Sequence, residues 1–233
     1  MTNEKPQIEI LELPSKGECY RSKTSRLPVA YLTADDENII FSEKLRENGT
    51  MCDVLLKGKV LDKDFNIEDL CISDRQAILL WLRRTGYGDT YTYNNELDEE
   101  KQIDLSTIKF KEFDNKGDEQ GHFEYVLPSG EIIKYRLLTH RDEIEISRWV
   151  EHVDNEIISG KDMSEIEYYC KVSRYILFHQ VISVNGSSDI NEWLDNLHFV
   201  DLRHIVEYLQ SATPCTTSEI SLELNEDLFY NLK

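Results

Sequence analysis

The chain has 233 residues, of which 40% are hydrophobic, and a mean hydropathy of -0.50, which suits one large or two small globular domains. This composition disfavours collagenous, fully disordered and membrane-embedded classes. The net charge of -19, from 45 acidic and 26 basic residues, repels phosphate backbones, so we predict no nucleic-acid partner; a basic protein surface would be attracted instead.

The sequence shows no sign of a secretory or membrane segment. No apolar run approaches the roughly 18 residues that a transmembrane helix needs, and residues 1–6 lack the apolar stretch of a signal peptide. The cysteines are scattered without any CxxC pair, which is typical of reduced thiols. We therefore expect a cytoplasmic protein without a membrane partner.

The first predicted elements are two strands with an irregular segment between them. Apolar residues at 8–13 predict a strand or an extended arm, and the alternation at 27–31 predicts a second strand, which Pro28 restricts to a sheet edge. Between them, Pro14 and Gly17 interrupt both regular patterns in residues 12–20. We expect this segment to lie on the surface and either contact a partner or brace the first helices.

Helical patterns follow. A helix capped by Thr33 is predicted over residues 33–48, and a second stretch covers residues 51–56. The clearest helix begins at Ser73, which forms a predicted capping box with Gln76, and it stops at glycines 86 and 88.

The apolar period then changes to two. Alternating segments at 91–93, 103–113, 123–127 and 132–137 predict four strands, with a hairpin turn at Pro128-Ser129-Gly130. We expect a small antiparallel sheet from about residue 90 to residue 138.

The pattern becomes helical again after this sheet. Thr139 and Ser164 are predicted caps of two helices, the second of which runs to Ile182, and two short helices begin near Asp189 and Asp201. Alternation at residues 220–224 predicts a final strand. The segregation of strands and helices predicts an α+β fold, with one region at 1–138 and a mainly helical region at 139–233.

No catalytic, cofactor or metal site is predicted. The chain has no phosphate-binding loop, and Gly86-Tyr87-Gly88 follows a helix, which marks it as a C-cap. No histidines pair at i, i+4, and no cysteines have zinc-binding spacing. Cys170 and His179 share a predicted helix and would be roughly 13 Å apart, too far for a nucleophile and its base.

Aromatic side chains offer the remaining candidates. Tyr168, Tyr169 and Tyr175 recur at helical spacing and are interpreted as core. Phe229 and Tyr230 lie in an aromatic tail, for which docking on the protein's own sheet and docking on a partner both remain open.

Residues 12–20 also carry the motif Leu13-Pro14-Ser15-Lys16-Gly17, followed by Tyr20. After it come the acidic helix at 33–48, the leucine-rich residues 54–56, Asp69-Leu70 ahead of the Ser73 helix, and Tyr87-Gly88 ahead of Tyr91. This ordered set, over about residues 8–105, resembles the baseplate-hub and baseplate-assembly proteins of T4-like bacteriophages.

The resemblance implies a protein that builds the central hub of a tail baseplate by binding other phage tail proteins. It would act in the host cytoplasm and could remain in the virion tail, as a structural subunit, or leave it, as an assembly chaperone. Family members commonly carry a CxxC pair after the position of Tyr91; residues 93–100 contain no cysteine here, which puts a zinc ribbon in doubt.

We therefore predict a non-enzymatic binding protein, and its oligomeric state stays open. The predicted partner-binding residues are Leu13, Pro14, Lys16, Gly17, Tyr20, Phe229 and Tyr230. Two alternatives stay open: an enzyme whose unrecognised site is built from isolated acids and tyrosines, and an acidic regulator of host proteins.

Overall fold

The computed structural model describes residues 7–94, 99–160, 162–215 and Phe229. Within these residues, eight α-helices and three antiparallel sheets form a mixed fold, which confirms the predicted α+β class. Every pairing between the described strands is antiparallel.

The strands form three separate sheets. Strand β1 (Ile8–Glu12) pairs with β2 (Arg26–Ala30), and β3 (Thr90–Asn94) pairs with β4 (Glu100–Asp104). The third sheet has the order β5 (Phe123–Val126), β6 (Ile132–Tyr135) and β7 (Val181–Val184). The strands predicted between residues 90 and 138 are present, but they belong to two sheets and not to one.

The predicted strand at 103–113 is shorter and starts earlier than expected. Strand β4 ends at Asp104, whose carboxylate accepts a hydrogen bond from the Ser106 amide at 2.8 Å. That bond begins a 3₁₀ turn at Leu105–Thr107, and the local side-chain acceptor thereby ends the strand.

Of the eight helices in the described residues, four come before strands β3 to β6 and four come after them. They are α1 (Glu37–Ile40), α2 (Glu43–Glu47), α3 (Met51–Lys59), α4 (Ile72–Tyr87), α5 (His140–Ile158), α6 (Glu165–Gln180), α7 (Asn191–Asn196) and α8 (Phe199–Ala212).

The helix predicted over residues 33–48 is broken. A 3₁₀ turn at Ala34–Asp36 leads into α1, and α2 begins separately after Ser42. The Ser42 hydroxyl accepts from the Leu45 amide, so an unrecognised N-cap inside the stretch starts a second helix.

The start of α4 corrects another prediction. Cys71, and not Ser73, is the N-cap, and Ser73 is buried in the first turn. The Ile72 amide donates to the Leu138 carbonyl at 3.0 Å, so a distant chain segment satisfies one of the free amides at the start of the helix. At the other end, Gly88 with φ 83° stops the helix as predicted.

The caps of α5 and α6 are confirmed, whereas the end of α6 is not. Thr139 forms a capping box with Asp142, and the Ser164 hydroxyl accepts from the Glu167 amide. Helix α6 ends at Gln180, and the β-branched residues that follow form β7 against β6.

One buried hydrophobic cluster includes residues from both sides of position 138, among them Leu55, Leu79, Leu177 and Ile205. The proposed boundary at residue 138 stays a prediction; β6 and β7 pair across it. The predicted strand at 220–224 lies outside the described residues.

Candidate functional site

The predicted partner-binding segment at residues 12–20 is irregular, as expected. Consecutive turns close it, with the Lys16 amide donating to the Leu13 carbonyl and the Tyr20 amide to the Gly17 carbonyl. The expectation that it lies on the surface is wrong, however, because Leu13, Ser15 and Tyr20 are only 3%, 0% and 6% exposed.

A buried carboxylate holds this segment inside the protein. Asp74, in the first turn of α4, accepts hydrogen bonds from the Ser15 amide at 2.9 Å, the Ser15 hydroxyl at 2.6 Å and the Tyr20 hydroxyl at 2.6 Å. Burial raises the pKa of Asp74, and these hydrogen bonds offset part of that rise. The segment therefore braces α4, which was the second of its two predicted roles.

Little of the segment remains for a partner. Lys16 is exposed and pairs with Asp114 at 3.2 Å, and Pro14 is half-buried. Gly17 is buried with φ 76°, and a Cβ there would lie 2.6 Å from the Thr24 carbonyl carbon. Its glycine is thus required by a close backbone approach.

Of the two residues of the predicted aromatic tail, the structure describes only Phe229. Phe229 is fully buried in its own chain, and the Arg46 guanidinium of α2 donates to its carbonyl at 3.3 Å. Phe229 therefore docks within its own chain, but the neighbour that donates to it, Arg46, lies on a helix and not on the predicted sheet. Tyr230 lies outside the described residues.

The clearest candidate for a binding surface lies where α5, α6 and α7 meet. We call it the aromatic cleft: a depression of about 530 Å³. It is lined by Trp149, Glu167, Cys170, Lys171, Arg174, Tyr175, Phe178, Asn191, Leu194 and Asp195. Trp149 stacks on Tyr175 with ring centroids 4.1 Å apart and planes 5° apart, so two neighbouring helices share a rigid aromatic floor.

Charged side chains border this floor. Lys171 places its Nζ 5.5 Å from the Trp149 ring centroid and 3.4 Å from Glu156. Arg174 donates from Nη2 to the Leu197 carbonyl at 3.1 Å, while its buried Nε has no partner among the described residues.

Sequence reasoning missed this cleft because it assigned the tyrosines of α6 to the core. Tyr168, Tyr169 and Tyr175 are half-buried, and of the three only Tyr169 is among the residues that pack against the hydrophobic core. The available signal was the presence of aromatic residues on the stripes of two successive helices, although nothing in the spacing indicated that Trp149 and Tyr175 would stack.

A second cleft, of about 220 Å³, contains titratable groups in contact. Asp53 of α3 lies 3.2 Å from an Arg75 Nη2 and 3.4 Å from His140 Nε2. Glu68 pairs in turn with Lys57 and Arg141. Burial lowers the pKa of His140, but Asp53 and Glu143 more than reverse this, and the net pKa is raised.

A third cleft, of about 520 Å³, is lined by Cys19 and Cys71, and the buried Asp74 lies behind them. The Cys19 and Cys71 sulfurs and an Asp74 carboxylate oxygen lie within 4.8 Å of one another, a separation compatible with a metal ion. The sequence predicted no metal site because these residues follow no short ligand spacing; the fold brings them together.

Among the described residues, no helix combines the length and the apolarity needed to span a bilayer. Comparisons of the chain with protein-family models, curated proteins and solved structures return no match.

Proposed function

We propose that the protein is a component or an assembly factor of a bacteriophage tail baseplate hub, and that it acts by binding other tail proteins and not as an enzyme. The ordered sequence resemblance over residues 8–105 supports the tail role. The observation that carries the binding mode is the aromatic cleft, in which Phe178 is 47% exposed beside the stacked Trp149 and Tyr175 rings.

The chemistry of the aromatic cleft suits a protein partner. Tryptophan, tyrosine and arginine are the residues that most often dominate binding energy at protein interfaces, usually within a rim of polar groups. Here the aromatic floor is bordered by Glu167, Lys171 and Asp195. An apolar side chain of the partner would cover Phe178, which is 47% exposed.

The overall charge favours a partner with a basic surface. The net charge of -19 speeds encounter with positive surfaces over a distance of about one Debye length. We therefore expect association to slow as salt rises, while dissociation, which depends on the aromatic contacts, changes less.

The test is recovery of the tagged protein from phage-infected cells, together with mass spectrometry of finished virions. Recovery with hub proteins and presence in virions would identify a structural subunit. Recovery with hub proteins and absence from virions would identify an assembly chaperone. Recovery of host enzymes or nucleotides alone would overturn the proposal.

A matched pair of variants tests the surface itself. Phe178→Ser removes an aromatic side chain from the cleft, and Phe41→Ser removes one with nearly equal exposure, 49%, after α1. We expect hub proteins to be lost from the Phe178→Ser sample by at least about tenfold and kept in the Phe41→Ser sample. Equal recovery by both variants would exclude the aromatic cleft as the interface.

The enzyme alternative has one observation in its favour, which is the contact among Asp53, Arg75 and His140 at the second cleft. The same contacts join α3, α4 and α5, so they also serve as an ion-pair network between helices. If Asp53→Asn abolished a measurable turnover of any substrate while leaving partner recovery intact, the enzyme alternative would be preferred.

A further inference from the structure

Cys19, Cys71 and Asp74 come together from two separate elements. Cys19 lies in the irregular segment after β1 and is half-buried, Cys71 caps α4, and Asp74 lies in the first turn of that helix. Both thiols are free, and Cys71 and Asp74 are 2% and 0% exposed. Their three donor atoms lie within 4.8 Å of one another.

We propose that Cys19, Cys71 and Asp74 form a binding site for a thiophilic divalent cation, with Zn²⁺ as the best match. Tetrahedral zinc with sulfur at about 2.3 Å and oxygen at about 2.1 Å places its ligands about 3.6–3.8 Å apart. The observed donors therefore need only a small contraction. Two thiolates select a soft cation over Mg²⁺ or Ca²⁺.

The surrounding hydrogen bonds orient the carboxylate ligand. Asp74 is fixed by Ser15, through both its amide and its hydroxyl, and by the Tyr20 hydroxyl. The Tyr20 oxygen also accepts from the Cys71 amide at 3.2 Å and lies 3.6 Å from the Cys71 sulfur. A carboxylate has about four lone-pair positions. Asp74 also accepts a hydrogen bond from the Cys71 thiol, and loss of that thiol proton when a metal binds frees one position for the cation. Such outer contacts are typical of metal sites in proteins.

The third cleft provides access to the two sulfurs. Cys19 and Cys71 line its wall together with Arg21, His122 and Arg136. From this side, a water molecule or the imidazole of His122 could supply a fourth ligand.

This site is independent of the proposed tail role. It also differs in place from the zinc ribbon of the resembled family, which the absence of cysteine at residues 93–100 puts in doubt, because none of its donors lies in that range.

The test uses the full chain, reduced and stripped of metal, with Cd²⁺ and Zn²⁺ as probes in excess Mg²⁺. The Mg²⁺ occupies exposed carboxylates, which are abundant at a net charge of -19. We expect one Cd²⁺ per chain with thiolate-to-metal charge-transfer absorbance, and release of about two protons from the thiols as each ion binds. Zn²⁺ should raise the melting temperature of the same sample.

Cys19→Ser should weaken Cd²⁺ binding by about 100-fold or more, because it removes a first ligand, and Tyr20→Phe should weaken it by about 10- to 100-fold. Cys170→Ser, a half-buried thiol in the aromatic cleft, is the matched control and should bind like the wild type.

Equal binding by Cys19→Ser and the wild type, an absence of thiolate absorbance, or loss of binding in Mg²⁺ would each overturn the site. If Cys19→Ser failed to fold, the site would be tested by the Cd²⁺ affinity of Tyr20→Phe and by the thiolate-to-metal absorbance of the wild type.

Discussion

Helices α4 and α5 contact each other, yet they are buried to very different extents. Helix α4 has 16 residues and buries Ile78, Leu79, Leu80 and Leu82 as well as four polar side chains. Helix α5 has 19 residues and fully buries only Asp142 and Val153. Most apolar side chains of α4 are buried in the core. The apolar stripe of α5 is only partly buried, and its Trp149 lines the aromatic cleft.

The contrast implies that substitutions in α4 should damage stability and that substitutions in α5 and α6 should damage binding. The largest loss is expected for Asp74→Ala, which leaves the Ser15 amide, the Ser15 hydroxyl and the Tyr20 hydroxyl without an acceptor. We expect the free energy of unfolding to fall by about 4 kcal/mol in urea denaturation. Asp69→Ala, an exposed acid just before α4, is the control and should change it by less than about 0.5 kcal/mol. A small effect at Asp74 would show that the segment is not braced by α4.

Truncation of one large side chain on each helix compares the two directly. Leu79→Ala removes a fully buried side chain and should lower the free energy of unfolding by about 3 kcal/mol. Ile146→Ala removes a half-buried one from α5 and should lower it by only about 1 kcal/mol. Equal losses in thermal or chemical denaturation would contradict the difference in burial.

The polar end of α5 should be sensitive to acid. Burial by itself raises the pKa of Asp142, but paired hydrogen bonds from Arg136 and the cap of Thr139 outweigh it, and the pKa is about 2. The pKa of an aspartate in the unfolded chain is about 3.9. Because the folded pKa is lower, the charged Asp142 carboxylate stabilises the fold above about pH 4, and this contribution to stability is lost as pH falls towards 2.

We therefore expect the stability advantage of wild type over Asp142→Asn to shrink by about 2 kcal/mol between pH 5 and pH 2. Glu151→Gln, at an exposed position on the same helix, should show no such narrowing. If the free energy of unfolding changed with pH in parallel for wild type and Asp142→Asn, the result would argue against the pairing of Asp142 with Arg136.

The smallest effect on stability is expected at the aromatic cleft. Phe178→Ser should change the free energy of unfolding by less than about 1 kcal/mol, because the ring is already 47% exposed. A loss comparable to that of Leu79→Ala would place Phe178 in the core and remove the reason to regard the cleft as a binding surface.

The features that the sequence could predict are those encoded locally. Thr139 and Ser164 lie within three residues of the amides that they cap, and the turn at residues 128–130 lies between the strands that it joins. The start of α4 could not be found in this way, because the partner of the Ile72 amide is the carbonyl of Leu138.

The same distinction applies to the candidate sites. Ser15 was recognised as part of a motif, but its acceptor Asp74 is 59 residues away in the chain, and burial of the motif depends on that contact. The stacking of Trp149 on Tyr175 and the meeting of Cys19 with Cys71 likewise arise from tertiary packing. Spacing rules identify ligands and partners only when they are neighbours in sequence.

The junction between α6 and β7 has a mechanical consequence. Helix α6 ends at Gln180 and β7 begins at Val181, with no intervening loop. At this junction the Arg136 amide donates to the Gln180 carbonyl, and the Arg136 guanidinium forms an ion pair with Asp142 of α5. We therefore expect a rotation of α6 at the aromatic cleft to turn β7 as well, because no loop separates the two elements.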